Sequence, residues 1–295
     1  MIATPASPAL CDLHCHSSAS DGSDDPADLP RLARQAGLST LALTDHDTVD
    51  GLAAASAAAD AIGLRFIPGI ELSVNPDLDG TAGADHPPRG TLHLLGYGVD
   101  AGNPALLELC AFLRETRAQR NPAILARLAD LGVRIDIDEV DAAAGGGVVG
   151  RPHIAQVLVR RGYVRSVHEA FHRYLGRGGA AHVRRDALDA RRAIDTLHGA
   201  GARVALAHPV QLRLAPEALE HAVARLVDLG LDGIEVLHPD HAPADVEHAA
   251  SLARRFGLLT TGGSDYHGSR KATPLGACRV PDACADALVD ALAGA

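Results

Sequence analysis

Short apolar segments rich in Leu, Val, Ile and Ala recur along the chain, and segments with helical periodicity separate them. Seven of these segments are predicted strands, at residues 9–14, 38–44, 64–71, 91–96, 202–207, 233–237 and 258–262. Strands that alternate with helices are typical of an α/β fold, in which helices cover a largely parallel sheet. Seven such units within 295 residues favour a closed α/β barrel over an open sheet.

The alternation is interrupted between Gly98 and Arg203, where no convincing strand occurs. This stretch contains predicted helices at residues 104–131 and 152–161. We therefore predict a helical insertion at residues 101–182 within a barrel formed by residues 1–100 and 183–295. Residues 101–192 contain 15 Lys and Arg against 10 Asp and Glu, whereas the rest contains 12 against 27. The middle of the chain is thus expected to hold an anion.

Composition excludes several classes of protein. A net charge of −10 disfavours a protein that binds long duplex nucleic acid, and the absence of Trp makes base-stacking surfaces improbable. The five cysteines form no CxxC pair, so neither a disulfide framework nor a thiolate zinc site is indicated. No leader-like or membrane-spanning apolar run is visible. We expect a cytoplasmic protein with no membrane partner.

Two histidines follow the first predicted strand, at His14 and His16. Because side chains alternate along a strand, both point to the same face, and Leu13 and Cys15 point to the other. Such a pair can chelate a metal, although two polar residues at a strand end are an equally good interpretation of this motif alone.

Further imidazoles and carboxylates occur at corresponding places, most of them in or just after a predicted strand. They are Asp21, His46, Glu71, His93, His208, Asp265 and His267. A barrel gathers the carboxyl ends of its strands at one face, so we expect all nine side chains to meet there. Burying six imidazoles and three carboxylates together is costly unless they have partners, and divalent cations would supply them.

Taken together, the motifs identify a resemblance. They read HCH at 14–16, SDG at 20–22, TDHD at 44–47, GIELS at 69–73, LHLLGYG at 92–98, AHP at 207–209, GIEV at 233–236 and GSDYH at 263–267. The chain resembles the PHP (polymerase and histidinol phosphatase) family of the amidohydrolase superfamily. That resemblance implies a distorted (β/α)7 TIM-like barrel and a metal-dependent phosphoesterase.

The resemblance also implies how the ligands divide among two to three divalent ions. The implied sets are His14, His16, Glu71 and Asp265 for one ion, Glu71, His93 and His208 for a second, and Asp21, His46 and His267 for a third. Glu71 would bridge the first two, and Glu71, Asp265 and His208 are the expected catalytic residues. Imidazole and oxygen ligands suit Mn²⁺, Zn²⁺, Fe²⁺ or Mg²⁺, and we favour Mn²⁺.

The expected substrate is a small nucleotide. The chain resembles a stand-alone branch of the family, whose helical insertion covers the substrate at the end of the barrel. This resemblance implies a substrate-covering insertion at 101–182 and a phosphatase that removes the 3′-phosphate of nucleoside 3′,5′-bisphosphates. A 5′→3′ exoribonuclease that acts on short RNA is the first alternative. A histidinol phosphatase and an inert metal-binding module are further alternatives, and the module is disfavoured because none of the ligands implied by the resemblance is missing.

Cations outside the ligand set are expected to bind the substrate. Arg151 and His153 lie at the start of a predicted helix, where backbone N–H groups favour an anion, and Arg177 lies in a glycine-rich turn. Lys271 follows Asp265 closely. The alternative for each is a solvated surface residue. No role is assigned to His86, His168, His172, His182, His238 and His241.

Overall fold

The computed structural model describes residues 10–78, 90–176, 178–183 and 188–294. Within these residues, eight strands form one sheet in the order β7-β6-β5-β4-β3-β2-β1-β8. They are β1 Leu10–Asp12, β2 Leu38–Leu43, β3 Arg65–Val74, β4 Leu92–Tyr97, β5 Arg203–Leu206, β6 Gly233–Leu237, β7 Leu259–Gly262 and β8 Val280–Pro281. All seven predicted strands are present, and β8 is an addition.

The direction of the strands distinguishes this barrel from a regular one. β1, β2 and β3 are parallel, as are β5, β6 and β7. β4 runs antiparallel to both of its neighbours, and β8 runs antiparallel to β1. The Leu13 N–H donates to the Gly262 carbonyl at 3.1 Å, which brings the end of β1 to β7 and nearly closes the sheet. The predicted distorted α/β barrel is confirmed.

Helices cover the sheet and one end of the barrel. Within the described residues they are α1 Leu29–Gln35, α2 Leu52–Ile62, α3 Pro104–Asp130, α4 Ile137–Ala144, α5 Arg151–Arg160, α6 Val167–Ala170, α7 Ala190–Gly199, α8 Pro216–Asp228, α9 Pro243–Phe256 and α10 Asp282–Ala293. A π-helical turn, Phe171–Leu175, continues α6. No helix in this part of the chain is both long and apolar enough to cross a bilayer.

The barrel has an inner and an outer core. Inside, apolar side chains such as Leu13, Ala42 and Leu95 pack with Ala285 and Leu288 of α10. α10 therefore fills the end of the barrel that lies away from the carboxyl ends of the parallel strands. Outside, the strands and their covering helices share a second, larger cluster of buried apolar residues. The apolar contacts leave the opposite end of the barrel for polar residues.

A separate apolar cluster lies in the helical segment, by which we mean the described residues between 104 and 183. The second half of α3 contributes Ile124 and Leu128 to this cluster. The first half of α3 contributes Leu106 and Leu109 to the barrel's outer cluster instead. The first half of α3 thus packs against the barrel and the second half packs within the helical segment. The predicted helical insertion at residues 101–182 stays a prediction.

Candidate metal centre

All nine predicted ligands lie at one end of the barrel, which we call the mouth. His14 and Asp21 follow β1, His46 follows β2, and His208 follows β5. The remaining members are His16 after β1, Glu71 within β3, His93 at the start of β4, and Asp265 and His267 after β7. The start of β4 belongs here because β4 runs antiparallel to β3 and β5. Seven of the nine residues are buried, and His46 and His93 are partly exposed.

Glu71 is the centre of the arrangement. Its Oε1 lies 2.7 Å from Nδ1 of His93 and 3.0 Å from Nε2 of His208. Its Oε2 lies 3.1 Å from Nδ1 of His46. The same oxygen lies 3.2 Å from Nε2 of His16 and 3.3 Å from Nε2 of His14. A single buried carboxylate thus faces five imidazoles from four different parts of the barrel.

The other two carboxylates lie on either side of this centre. Oδ1 of Asp265 lies 3.2 Å from Nε2 of His16 and 3.5 Å from Nε2 of His14. Oδ1 of Asp21 lies 3.2 Å from Nε2 of His267. His16 contacts Glu71 and Asp265 through Nε2, and its Nδ1 lies 3.8 Å from Oδ1 of Asp21. His16 therefore lies between all three carboxylates.

The backbone that carries these ligands is tied together locally. Oδ1 of Asp12 accepts hydrogen bonds from the N–H groups of Ser264, at 2.9 Å, and of His14, at 3.3 Å. A Cβ on Gly263 would lie 2.4 Å from the backbone nitrogen of His14, so only glycine allows this approach. Asp265 itself has a φ of 48°, an unfavourable backbone conformation of the kind found at functional sites. These contacts fix the turn that presents Asp265.

The donor set fits divalent cations. Four groups of these residues place one ligand atom each within 4.8 Å of one another, namely His16, Asp21, His46 and His267; His14, Glu71 and His208; His14, His16 and Asp265; and His46, Glu71 and His93. Both ring nitrogens of His16, Nδ1 of His46 and Nδ1 of His208 are buried without a hydrogen-bond partner. Cys15 is directed elsewhere, because its Sγ donates to the Ala42 carbonyl at 3.1 Å. Imidazole and carboxylate without thiolate match Mn²⁺, Zn²⁺ or Fe²⁺.

The protonation of the mouth supports this fit. Burial opposes the charged form of Glu71, yet the surrounding histidines, among them His14 with its own raised pKa, outweigh burial and hold the pKa of Glu71 well below its ordinary value. Burial lowers the pKa of His46 to about 3, so its ring is neutral and able to coordinate. For His16, Asp265 and Glu71 outweigh burial and raise the pKa to about 9. Metal binding would therefore displace a proton from His16.

Two further residues belong to the mouth and were not predicted. Glu235 in β6 is fully buried, its Oε1 lies 3.0 Å from Nδ1 of His14, and its Oε2 accepts the His208 N–H at 2.7 Å. His238 follows β6, and its Nε2 lies 3.4 Å from Oδ2 of Asp265. The sequence contained a signal for each residue. Glu235 is a charged residue inside the apolar GIEV motif, and His238 follows a predicted strand, as His208 does in the AHP motif.

The predicted substrate-binding residues have different positions. Nζ of Lys271 lies 2.5 Å from Oδ2 of Asp265, so Lys271 joins the mouth. His153 is buried, and its Nε2 lies 2.6 Å from a terminal nitrogen of Arg270. Arg151 donates to the Leu175 carbonyl at 3.2 Å, within the helical segment. Arg177 lies outside the described residues.

Arg270 connects the helical segment to the mouth. Its guanidinium contacts His153 and donates to the backbone carbonyls of Asp21, at 3.1 Å, and of Ala143, at 2.9 Å. His153 is thereby placed beside the loop that carries Asp21. Burial lowers the pKa of His153 to about 4, so the ring that contacts Arg270 is neutral.

Known proteins resemble this chain over most of its length. A phosphoribosyl 1,2-cyclic phosphate 1,2-diphosphodiesterase of Eggerthella lenta is 36% identical over 275 residues, which are 92% of this chain and 98% of that protein. The 5′-3′ exoribonuclease Rnm of Escherichia coli is 33% identical over 260 residues, 88% of this chain and 85% of its own. The 3′,5′-nucleoside bisphosphate phosphatase of Chromobacterium violaceum is 32% identical over 260 residues, 88% of this chain and 87% of its own.

The fold has a solved counterpart as well. An amidohydrolase of Chromobacterium violaceum, with bound sulfate and no metal, superposes with a TM-score of 0.83 at 30% identity, and the match covers 97% of this chain and 96% of that one. The PHP domain model matches residues 12–225, which include seven of the nine predicted ligands. The chain therefore belongs to the PHP family and is a metal-dependent phosphoesterase.

Proposed function

We propose that this enzyme is a phosphatase that removes the 3′-phosphate from nucleoside 3′,5′-bisphosphates, giving a 5′-nucleotide and inorganic phosphate. The observation that carries the phosphoesterase chemistry is the buried Glu71 carboxylate, which faces five imidazoles. The 3′,5′-nucleoside bisphosphate phosphatase of Chromobacterium violaceum supports the choice of substrate. The five unpaired cysteines support the expected cytoplasmic location.

The metal ligands that we propose are the nine residues of the predicted set. His14, His16 and Asp265 would share one ion with Glu71, Glu71 would hold a second with His93 and His208, and Asp21, His46 and His267 would hold a third. Close grouping of these atoms supports the assignment, and Mn²⁺ is our choice of metal. Such ions, when bound, neutralise the charge of a phosphate ester and activate water as the nucleophile.

The chain's own residues supply position and charge. Glu71 and Asp265 stay anionic, because neighbouring cationic groups hold the pKa of each well below its ordinary value despite burial. Lys271 places its ammonium beside Asp265, where it would bind an oxygen of the reacting phosphate. Glu235 holds the His14 ring through Nδ1, which directs Nε2 toward Glu71 and Asp265. His208 lies on the other oxygen of Glu71 and completes the proposed catalytic set.

The second phosphate needs cations away from the metal ligands. Arg151 at the start of α5 and Arg177 are the proposed cationic contacts, and His153, two residues after Arg151 and neutral, is the third proposed contact. Arg151 and His153 belong to the helical segment, whose described residues contain ten Arg against eight Asp and Glu, whereas the chain as a whole is acidic. An arginine can bind a phosphate through two N–H groups at once, so Arg151 is the stronger of the two described candidates.

Two other activities are favoured by specific relatives. The Escherichia coli exoribonuclease supports 5′→3′ hydrolysis of short RNA, and the Eggerthella lenta diphosphodiesterase supports hydrolysis of a phosphoribosyl cyclic phosphate. Both alternatives would use the same mouth, because each also requires attack on a phosphate ester. They differ from the proposed reaction in the part of the substrate that lies outside the mouth.

Hydrolysis of a panel of substrates tests the proposal. The panel contains adenosine 3′,5′-bisphosphate, 5′-phosphorylated oligoribonucleotides, phosphoribosyl 1,2-cyclic phosphate and histidinol phosphate, each with Mn²⁺. We expect the highest kcat/KM for the bisphosphate, with phosphate released from the 3′ position. A higher kcat/KM for any of the other three would replace the proposed substrate, and no turnover of any would indicate an inert module.

The number of ions is a separate prediction. Nine ligands are too many for one site of four to six positions, so we expect two to three divalent ions per chain after loading with Mn²⁺. Elemental analysis of the desalted protein measures this number. Retention of at most one ion would contradict the proposed division of ligands.

A further inference from the structure

A cavity of about 360 Å³ opens beside the mouth, between the barrel and the helical segment. Phe171 lines it from the helical segment, and Gln211 and Asp240 line it from the barrel. Asp265 and Lys271 line it where it meets the mouth. A phosphate held at the mouth would therefore leave the rest of its substrate in this cavity, whose volume suits a small organic group.

Phe171 gives the cavity an aromatic wall. It is one of only four phenylalanines in the chain, and it is the first residue of the π-helical turn after α6. The guanidinium carbon of Arg151 lies 5.6 Å from the centre of its ring. Arg151 is itself held by its hydrogen bond to the Leu175 carbonyl. The ring is thus supported by a fixed cation while its partly exposed surface lines the cavity.

The opposite wall is polar and carries negative charge. Nε2 of Gln211 donates to Oδ2 of Asp240 at 3.0 Å, which fixes both side chains. The Asp240 N–H donates to Nδ1 of His238 at 3.1 Å, so the loop after β6 is fixed as well. The Asp240 carboxylate makes this wall unfavourable for a second phosphate. It is favourable for a neutral group that donates hydrogen bonds.

We propose that this cavity binds the nucleobase of the substrate, stacked on Phe171 and with its amino group directed toward Asp240. The inference rests on the proposed function, because it assumes that the ester at the mouth is a nucleotide. A planar, uncharged heteroaromatic ring satisfies both walls, whereas a phosphoribosyl group without a base would leave the aromatic wall uncovered. The low aromatic content of the chain made a stacking surface improbable, and Phe171 is the residue that provides one.

Fluorescence tests the binding step without turnover. The chain contains no Trp, so Phe171→Trp introduces a single Trp, whose emission can be excited separately from that of the four Tyr, and keeps an aromatic wall. We expect AMP to quench this emission, and we expect ribose 5-phosphate and inorganic phosphate at the same concentration to leave it unchanged. His172→Trp is the matched control, because His172 is the exposed neighbour and its emission should not respond to AMP. Quenching by ribose 5-phosphate equal to that by AMP, or no quenching by AMP, would overturn the proposal.

Turnover provides the second test. The measured quantity is the ratio of kcat/KM for adenosine 3′,5′-bisphosphate to kcat/KM for the methyl riboside that carries the same two phosphates. Phe171→Leu removes the aromatic face and keeps an apolar side chain, so we expect this ratio to fall about tenfold. Phe171→Tyr keeps an aromatic face, so we expect this variant to show the same ratio as the parent enzyme. An unchanged ratio in Phe171→Leu would overturn the nucleobase site.

The two tests separate this inference from the proposed function. If the wild-type enzyme hydrolyses neither bisphosphate, the proposed function fails, and the response of Phe171→Trp to AMP still decides whether the cavity binds a base. If both bisphosphates are hydrolysed with equal kcat/KM, the proposed function stands and the nucleobase site is wrong.

Discussion

The mouth and the helical segment both concentrate ionisable residues, but the two regions differ in whether these residues find hydrogen-bond or ion-pair partners within the protein. In the mouth, buried ring nitrogens of His16, His46 and His208 have no hydrogen-bond partner within the described chain. In the helical segment, Arg161 pairs with Glu139 and Arg173 with Glu169, each at 2.9 Å. Part of the positive charge of the helical segment is therefore neutralised by ion pairs within that segment. A count of charges locates a basic region, but it does not tell which cations can meet a ligand.

The contrast has a structural reason. Strand ends in a barrel hold the backbone rigidly, so side chains from distant parts of the sequence can be kept close together even when some of their polar atoms lack a hydrogen-bond partner. On helices, oppositely charged residues three or four positions apart meet readily, and Glu169 and Arg173 have this spacing. We expect substitutions in the mouth to change catalysis or metal binding, and substitutions in the helical segment to change stability or substrate preference.

The largest effect should come from Glu71→Gln in the mouth. The amide removes the negative charge that five imidazoles face, so we expect kcat/KM to fall about a thousandfold at saturating Mn²⁺. Glu108→Gln, on the exposed side of α3, is the control and should keep the parent activity. If Glu71→Gln kept nearly the parent activity, the expectation that substitutions in the mouth act on catalysis would be wrong.

A second substitution tests the contact that joins the regions. Arg117 of α3 is buried and bonds to the fully buried Asp47 carboxylate, which follows His46. Arg117→Ala leaves this carboxylate without its cation, so we expect the free energy of unfolding to fall by about 3 kcal/mol in urea titrations.

The matched control for Arg117 is an exposed pair of the helical segment. Arg173→Ala removes the contact with Glu169, and we expect a loss of less than about 1 kcal/mol. If both variants lost the same amount, burial would not distinguish the joining contact from the segment's surface pairs.

Glu235→Gln should have an intermediate effect in the mouth. Glu235 accepts from His14 and from the His208 backbone, so its loss should weaken metal affinity by about 10- to 100-fold while leaving the ligands themselves present. Equilibrium dialysis measures the affinity, and excess metal should restore most of the activity. Exposed Glu217→Gln is the control. Unchanged metal affinity in Glu235→Gln would mean that Glu235 does not position His14 for the metal.

The smallest effect on catalysis is expected from Arg151→Ala in the helical segment. Loss of a charged contact to the second phosphate should lower kcat/KM for the bisphosphate by about tenfold. Hydrolysis of p-nitrophenyl phosphate, which lacks that phosphate, should change much less. Equal losses on both substrates would place Arg151 among residues that support the fold or the reacting phosphate. The corresponding prediction for Arg177 concerns a residue outside the described chain.

Apolar strand patterns predicted most of the fold. β2, β3, β5, β6 and β7 match their predicted segments to within a few residues, because continuous apolar runs mark strands covered on both faces. The reversal of β4 was not predictable, since the same residues pack equally well in either direction. β8 contains two residues, too few to show a pattern, and α10 was missed with it.

The residues that meet at the mouth were predicted more completely than those that line the neighbouring cavity. His14 through His267 were found because each lies at a strand end or in a recognisable motif. Glu235 was missed because its partners, His14 and the His208 backbone, are distant in sequence. The position of Phe171 beside Asp240 depends on how the helical segment packs against the barrel, and no local pattern encodes that packing.

The reversed strand β4 has a consequence for how new segments can be added to this barrel. Because β4 starts at the mouth, the chain leaves it at the far end, and α3 must carry the chain back. At 27 residues, α3 is about 40 Å long, enough to run the height of the barrel and continue beyond it. The segment that follows α3 therefore lies above the mouth, as α5 and the preceding Gly150 do here. A single change of strand direction thus creates a fixed point of entry, at which evolution or a designer can exchange the segment above the mouth without rebuilding the strands that carry the mouth residues.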